Sequence, residues 1–297
     1  MRCILPKRIV LSGGGIRGVA HAGALLMLEE RGYLKLVNEY SGISAGGLVA
    51  FLVCIGYSFK LIARFCLEMD FGSIRNIGDD AFLTCIETFG IDDGKNVQKV
   101  LKRFLTEMGY AETLTFSQLY RLKPQAPRLR IFATDLNQCN VREFSLVKTP
   151  NVEIITALIA SLSIPFYFHP VRDPETGHLL VDGSLFQSLP LFHLNAAEKR
   201  TALCISFTVD HNKVNEISSL QQFITQLYAS SYLPLTEEMI QKYKDHLIMI
   251  PCGSYPLWDF EASRDVRKDM MEKAAAAVTE FLKTQKGISP PRRYSVS

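Results

Sequence analysis

Long apolar runs and a one-sided charge are both missing from this sequence. Its most apolar stretch, residues 48–55, is far shorter than the roughly 20 residues that a helix needs to cross a bilayer. The 33 lysines and arginines nearly balance the 30 acidic residues, which gives a net charge of +3. A nucleic-acid binder needs a concentrated basic face, and so even a balance does not favour one. We therefore expect no transmembrane span and no nucleic-acid partner.

Closely spaced cysteine pairs are missing as well. The seven cysteines are scattered, and no two of them form a Cys-x-x-Cys pair. An odd and unclustered set is typical of reduced, buried thiols rather than of a disulfide framework or a zinc site. No apolar signal segment develops near the start of the sequence, because Pro6, Lys7 and Arg8 interrupt it. These absences predict a cytoplasmic protein without a metal or other cofactor. Peripheral attachment to a membrane stays open.

The composition that is present is that of an ordinary globular protein. Of its 297 residues, 47% are hydrophobic and 21% are charged, which is enough apolar material for a self-supporting core. No internal repeat and no linker divides the chain. We therefore expect a single domain over residues 1–285 and a mobile C-terminal tail over residues 286–297, where prolines and arginines cluster. The sequence predicts no particular oligomeric state.

Strand and helix patterns alternate along the chain. A short apolar run at residues 8–11 predicts a buried strand, and residues 19–30 predict a helix that Gly32 ends. Further strands are predicted at 36–41, 129–134, 179–181, 202–209 and 246–250, and further helices at 45–55, 96–108, 152–162, 217–228 and 265–283. This alternation is typical of an α/β fold with a parallel sheet covered by helices.

A glycine-rich segment joins the first predicted strand to the first predicted helix. It consists of Gly13, Gly14, Gly15, Ile16, Arg17 and Gly18. Glycines at the N-terminus of a helix let backbone N–H groups approach an anion closely. The segment fits the G-x-G-x-x-G pattern of a dinucleotide site, but an oxyanion hole uses the same geometry. A tight turn that binds no ligand is the third interpretation.

The second predicted strand leads into a sequence that separates these interpretations. The run Gly-Ile-Ser-Ala-Gly around Ser44 fits G-x-S-x-G, the nucleophile elbow, in which a sharp turn between a strand and a helix exposes the serine. Such a turn needs small neighbours, and Gly42, Ala45 and Gly46 supply them. A dinucleotide site instead needs an acidic residue at the tip of this strand, whereas Glu39 precedes the elbow. The elbow therefore favours the oxyanion hole.

A serine nucleophile needs a base, and two kinds of residue are candidates. The six histidines lie in no recognisable motif, and the fold that carries the usual Ser–His–Asp triad places several strands before its elbow, whereas one precedes Ser44. The other candidate is Asp182, which Gly183 and Ser184 follow. Asp-Gly between apolar runs also fits a β-hairpin turn, and local sequence alone slightly favours that turn. A carboxylate at a strand end, facing the serine, is the second interpretation.

In their chain order, these motifs resemble those of the patatin-like phospholipases. That family has a glycine-rich oxyanion loop with a basic residue, then a G-x-S-x-G elbow and a distant D-G-[GA] motif. Residues 132–136 and 160–165 are similar to two further blocks of the family, so the likeness covers residues 7–191. Ser184 departs from the glycine or alanine that usually follows the Asp-Gly pair.

The resemblance implies a three-layer α/β/α fold, with a mainly parallel central sheet, and a Ser–Asp catalytic dyad. Ser44 would be the nucleophile and Asp182 the general base. The residues implied for the oxyanion loop and for support of the elbow and turn are Gly13, Gly14, Gly15, Ile16, Arg17 and Gly18, with Gly42, Ala45, Gly46 and Gly183. The implied reaction is hydrolysis of carboxylic esters in phospholipids, lysophospholipids or related acyl lipids, at a membrane surface and without a cofactor.

Two alternative functions stay open at this point. One is a nucleotide-binding protein that uses residues 13–18, and the other is an inactive relative that binds lipid without cleaving it. A poorly periodic apolar region at residues 65–89 also has more than one interpretation. It fits an acyl channel, a mobile lid or, more commonly, ordinary core packing.

Overall fold

The computed structural model describes residues 5–78, 81–208, 216–219, 222–223, 226–227, 230, 239–252, 255 and 260–285. The predicted tail at 286–297 lies outside these residues, and the predicted helix at 217–228 lies partly outside them. The described strands are β1 (Arg8–Leu11), β2 (Glu39–Ile43), β3 (Gly90–Asp92), β4 (Arg128–Asp135), β5 (Asn140–Ser145), β6 (Phe166–Phe168), β7 (Val171–Arg172), β8 (Leu179–Asp182), β9 (Ala202–Phe207) and β10 (Leu247–Ile250). The described α-helices are α1 (Val19–Glu30), α2 (Ala45–Ile55), α3 (Phe59–Glu68), α4 (Ala81–Thr88), α5 (Lys95–Glu107), α6 (Phe116–Leu122), α7 (Ile154–Leu162), α8 (Ala196–Lys199) and α9 (Arg264–Thr284).

A central sheet joins strands from both ends of the chain. Five of them lie in the order β10-β9-β1-β2-β4, and each of these neighbours runs parallel to the next. β5 and β8 pair antiparallel with β4, and β7 pairs antiparallel with β8. The short strands β3 and β6 form a separate two-stranded sheet. The arrangement confirms the predicted α/β fold, with a mainly parallel central sheet flanked by helices.

Both faces of the central strands are buried. Ile9 and Leu11 of β1 belong to the larger hydrophobic core, to which α1, α2, α7 and α9 contribute. Val10, between them, belongs to a smaller core together with Leu189 and Leu191. Successive residues of a strand point to opposite faces, so β1 is covered on both sides. This double burial explains why β1 is a continuous apolar run in the sequence.

The predicted boundaries agree best with the structure near the glycine motifs. β1, α1 and α2 begin and end where the sequence predicts them. β2 begins at Glu39 rather than at residue 36, because residues 31–36 form turns after α1. Strands β3, β5, β6 and β7 were not predicted, and neither were helices α3, α4, α6 and α8.

The Asp-Gly pair does not form the hairpin turn that its local sequence favours. β8 ends at Asp182, and a single 3₁₀ turn, Gly183–Leu185, follows it. The Ser184 N–H donates to the Asp182 carboxylate at 2.7 Å, which closes this turn locally. The hairpin interpretation is therefore wrong.

The pairing of β4 brings the ends of two distant strands together. β2 runs parallel to β4 and ends with Ile43 opposite Phe132, while β8 runs antiparallel and ends with Asp182 opposite Ala133. β5 occupies the other edge of β4, so β2 and β8 lie end to end along one edge. Their C-terminal ends consequently meet between two successive residues of β4.

Candidate active site

Ser44 lies at the sharp turn between β2 and α2. Its backbone has φ 53° and ψ −125°, a conformation that a residue with a side chain rarely adopts. The turn is tight enough that a Cβ at Gly42 would lie 2.4 Å from the Gly46 carbonyl, and one at Gly46 would lie 2.6 Å from the Leu11 carbonyl O. The small residues predicted from the G-x-S-x-G pattern are therefore required by close backbone contact. Strained backbone of this kind clusters at functional sites.

The hydroxyl of Ser161 holds the turn against β4. The Ser44 N–H donates to Ser161 Oγ at 2.8 Å, and Ser161 Oγ donates to the Phe132 carbonyl O at 2.7 Å. Ser161 is completely buried in α7. The Ser161 hydroxyl thus forms hydrogen bonds with two backbone groups, one at the end of β2 and one within β4. The sequence analysis included Ser161 in a family-like block but gave it no role.

Asp182 is buried beside Ser44. Burial raises the pKa of the Asp182 carboxyl to about 6, although the neighbouring Ser44 hydroxyl and hydrogen bonding from Ser184 lower it. The backbone of Asp182 is held on both sides, since its N–H donates to the Ser163 carbonyl O at 2.8 Å and its own carbonyl accepts from Thr134 Oγ1 at 2.9 Å. The carboxylate is therefore rigidly placed and has an unusually high proton affinity.

Gly183 and Ser184 fit tightly behind this carboxylate. A Cβ at Gly183 would lie 2.6 Å from the Phe132 carbonyl O, so the turn requires glycine there. A Cβ at Gly13 would lie 2.1 Å from Ser184 Oγ. The hydroxyl at Ser184, which departs from the family pattern, is thus accommodated because Gly13 has no side chain.

The glycine loop packs against the elbow. A Cβ at Gly18 would lie 2.4 Å from Ala45 Cβ, and Gly15, with φ 55°, begins the single 3₁₀ turn that precedes α1. The Gly13 N–H donates to the Ser188 carbonyl O at 3.0 Å. The amide of Gly13 is therefore committed elsewhere, and the N–H groups of Gly14, Gly15 and Ile16 are the candidates for an oxyanion hole.

Arg17 links this loop to the C-terminal part of the chain. Its Nε donates to the Tyr255 carbonyl O at 2.7 Å. The Tyr255 hydroxyl contacts Asp269 and accepts from Lys273 Nζ of α9 at 3.0 Å. The guanidinium thus fastens the loop to a segment that lies beyond the motifs of the sequence analysis.

His21 and Phe207 pack against the glycine loop and the strand end before it. Their sequence positions gave no indication of this role. Burial lowers the pKa of His21 to about 4, so the imidazole is neutral at pH 7, and its Nε2 is hydrogen-bonded to the Ser12 carbonyl O at 2.9 Å. The ring centroids of His21 and Phe207 are 4.7 Å apart. A Cβ at Gly14 would lie 2.3 Å from the Phe207 ring. No local pattern marks these residues, because their role depends on contacts between distant segments.

No imidazole within the described ranges is hydrogen-bonded to Ser44 or Asp182. The ring of His178 is hydrogen-bonded to Asp135 at 2.8 Å, and that of His193 to the Pro190 carbonyl O at 2.5 Å. His211 lies outside the described residues. The carboxylate of Asp182 is thus the titratable group that the structure brings to Ser44.

Glu39, the acidic residue considered for a dinucleotide site, lies at the opposite end of β2 from Ser44. Its carboxylate is within 3.6 Å of Arg8 and 3.4 Å of Arg130. It is therefore engaged in an ion-pair network away from the glycine loop, which counts against the nucleotide interpretation.

An apolar cavity of about 110 Å³ opens beside Ser44. Its lining combines the loop and elbow with residues of α2, α3 and α5 and of β6, including Gly15, Ile16, Ser44, Leu48, Val97 and Phe168. From the apolar region at 65–89, Phe65, Cys66, Phe71 and Ile74 line the cavity, whereas Leu83, Ile86 and Phe89 are exposed. The region therefore divides into a cavity wall and a surface.

The described residues contain no group of three histidine, cysteine or acidic side chains arranged to hold a metal ion. Of the helices that the structure describes, none combines the length and apolarity that crossing a membrane requires.

The chain is similar to known proteins in sequence and in fold. The family model described as patatin-like phospholipase matches residues 9–194. The chain is 28% identical over 258 residues to protein R571 of Acanthamoeba polyphaga mimivirus, covering 82% of this chain and 82% of that protein. It is 26% identical over 218 residues to the probable lipid hydrolase 463L of Invertebrate iridescent virus 6, covering 68% of this chain and 69% of that protein.

Among solved structures, the fold is similar to that of VipD from Legionella pneumophila. The TM-score is 0.62 at 16% sequence identity, and the match covers 94% of this chain and 67% of that chain. At this level of identity the likeness concerns the fold alone.

The bridging hydroxyl of Ser161 gives a testable prediction. Ser161→Ala leaves the Ser44 N–H and the Phe132 carbonyl O without their partner in a buried setting, so we expect a loss of about 1–3 kcal/mol in the free energy of unfolding. We also expect at least tenfold slower ester hydrolysis, because the turn that carries Ser44 loses its support. Thermal unfolding and kinetics with a soluble ester measure the two effects.

The matched control is Ser163→Ala. The Ser163 hydroxyl donates to the Ile159 carbonyl O within α7 and its C-terminal cap, so its loss leaves the elbow unchanged. If Ser161→Ala kept the stability and activity of Ser163→Ala, the bridging role would be rejected.

Proposed function

Because the chain belongs to the patatin-like phospholipase family, we propose that it is a lipid acyl hydrolase that cleaves carboxylic esters through a Ser44 acyl-enzyme, with Asp182 as the general base. The observation that carries the proposal is the position of the Ser44 hydroxyl, which lies beside the buried Asp182 carboxyl and next to an apolar cavity. Nucleophile, base and acyl-binding space are thus adjacent.

The raised proton affinity of Asp182 is what suits it to be a base. An ordinary aspartate, with a pKa near 3.9, has little tendency to take a proton from a serine hydroxyl. Burial raises the pKa of Asp182 to about 6. This value is closer to neutral pH, yet the carboxyl is still mostly ionised at pH 7. In the first step Ser44 Oγ attacks the ester carbonyl carbon as its proton passes to Asp182.

The negative charge that develops on the carbonyl oxygen would be held by backbone N–H groups. The amides of Gly14, Gly15 and Ile16 lie beside the elbow, and Ser44 is the N-cap of α2, so the positive end of that helix points at the reacting group. Loss of one oxyanion donor typically costs about 3 kcal/mol of transition-state stabilisation. The loop therefore contributes as much to this mechanism as the base does.

The second half of the reaction releases the acid. The tetrahedral intermediate collapses, the alcohol leaves with the proton that Asp182 had taken, and the acyl group stays on Ser44 Oγ. Asp182 then takes a proton from a water molecule that attacks the acyl carbon. Collapse of this second intermediate returns the proton to Ser44 and frees the carboxylic acid.

The cavity supports an acyl lipid as the substrate. Its walls are apolar side chains, which suit a hydrocarbon chain and offer little to a polar head group. We infer phospholipids, lysophospholipids or related acyl lipids, presented at a membrane surface. The free thiols of Cys54, Cys66 and Cys204 fit a cytoplasmic location, and we assign the activity to one domain over residues 1–285.

Covalent labelling tests the nucleophile. A fluorophosphonate probe should label the wild-type protein on Ser44, and Ser44→Ala should lose the label, because the probe reacts only with an activated serine. Mass spectrometry of the labelled peptide gives the measurement, and Ser184→Ala is the control that should still be labelled. Labelling that survives in Ser44→Ala would reject Ser44, and a wild-type protein that takes no label would favour the inactive relative.

Removing the charge of Asp182 separates catalysis from folding. Asp182→Asn should abolish hydrolysis, because an amide cannot take the proton. It should also raise the melting temperature at pH 8. The native pKa of about 6 lies above the ordinary 3.8, so stability falls as the pH rises from 3.8 to about 6, and at pH 8 the whole cost of the ionised carboxyl is present. Calorimetry at pH 8, with the exposed Asp245→Asn as the control, measures this effect.

Two results would contradict this prediction. Normal turnover by Asp182→Asn would assign the base to another residue. A melting temperature below that of Asp245→Asn at pH 8 would mean that the carboxylate stabilises the fold rather than being destabilised by burial.

A further inference from the structure

An exposed apolar patch lies on the surface formed by α4 and the small sheet. Its members are Ile77, Leu83, Ile86, Phe89 and Phe166, whose exposed fractions are 41%, 83%, 81%, 56% and 55%. Leu83 and Ile86 are three residues apart in α4 and share a face of that helix. Solvent-exposed clusters of large apolar side chains mark interaction sites.

The members of the patch are joined by the backbone. Gly90 of β3 pairs with Phe166 of β6, and Phe89 directly precedes Gly90. Ile77 lies beside β3, where it forms an isolated bridge to Asp92. These pairings place Ile77, Phe89 and Phe166 around the small sheet formed by β3 and β6.

Two of its aromatic residues have unusual backbone conformations. Phe89 has φ 58° and Phe166 has φ 67°, in the left-handed region that bulky residues rarely adopt. Both nevertheless remain exposed, so burial of their side chains does not account for this backbone. Strain at an exposed aromatic residue indicates a functional requirement.

The patch lies close along the chain to the cavity beside Ser44. Phe168 lines that cavity, and Phe166 lies two residues before it on β6. Ile74 also lines the cavity, and the chain reaches Ile77 three residues later. Two separate segments thus lead from the cavity wall to the patch.

Charge around the patch argues against attraction by anionic groups. Two basic residues near the patch are engaged in ion pairs, Arg75 with Glu261 and Lys95 with Asp93. The one charged residue of α4 is Glu87, which is acidic and exposed. A surface of this kind fits an apolar or zwitterionic interface better than an anionic one.

We propose that this patch is the surface by which the protein docks on a lipid membrane, inserting its apolar side chains among neutral or zwitterionic lipids next to the entrance of the acyl cavity. The inference rests on the proposed function, because it is the lipid substrate that makes a membrane the occupant. Docking there brings the cavity to the acyl chains, so a lipid has a short path from the bilayer to Ser44. Apolar burial drives the binding.

Vesicle sedimentation tests the proposal. Ser44→Ala protein, which leaves the lipid intact, is mixed with phosphatidylcholine vesicles, and its partition is compared with that of the same protein carrying Leu83→Ser and Ile86→Ser. We expect the partition coefficient to fall at least tenfold, because each change removes exposed apolar carbons. Partition of the parent should change less than twofold between 0.1 M and 0.5 M salt, since charge does not drive it.

The matched control carries Leu122→Ser and Val147→Ser, two changes at residues with exposed fractions of 64% and 75% outside the patch. It should sediment with vesicles as the parent does. With Ser44 intact, patch and control variants should both hydrolyse p-nitrophenyl butyrate within twofold of the wild-type rate, because this soluble ester needs no membrane.

Equal vesicle partition of the patch and control variants would overturn the proposal, as would a partition that high salt abolishes. A patch variant that still binds vesicles but loses a dimer in sedimentation velocity would assign the surface to a second copy of the chain. If the wild-type protein hydrolysed no soluble ester, the proposed function would fail, while vesicle partition would still decide whether the patch docks.

Discussion

The pairing of two strands along one edge of β4 is the constraint on which the site depends. β2 runs parallel to β4 and β8 runs antiparallel, so the ends that carry Ser44 and Asp182 meet opposite Phe132 and Ala133. A slip of one residue in either register would turn the side chain to the other face of the sheet. Ser161 and Thr134 secure the two ends by hydrogen bonds at this junction. The strand pairing that builds this part of the sheet therefore also brings Ser44 and Asp182 together.

The backbone conformation of Ser44 and the burial of Asp182 both lower the free energy of unfolding. Left-handed backbone at a residue such as Ser44 costs about 1–3 kcal/mol, and burial disfavours the ionised form of Asp182. The hydrophobic core on both faces of the sheet offsets these costs. Part of that support comes from beyond residue 194, since Phe207 packs beneath Gly14 and Tyr255 accepts from Arg17. The C-terminal third of the chain thus helps to place the glycine loop.

Local sequence predicted what local geometry determines. The glycines of the loop and elbow mark sharp turns, and the limits of β1, α1 and α2 follow from them. Whether Asp182 forms a hairpin turn or lies beside Ser44 could not be predicted locally, because it depends on the pairing of β8 with β4. His21 and Ser161 were assigned no role for the same reason, since each is hydrogen-bonded to a distant backbone group. The antiparallel strands β5 and β7 lack the short continuous apolar runs that identify the parallel strands β1, β9 and β10.

The pH dependence of kcat/KM for a soluble ester tests the central claim most directly. If Asp182 is the base, activity requires its ionised form, so the rate should fall as the pH drops through the pKa of about 6 and should be constant above pH 7. A midpoint near 4, as for an ordinary solvated aspartate, would contradict the account, because burial would then not have prepared this carboxyl to act as the base.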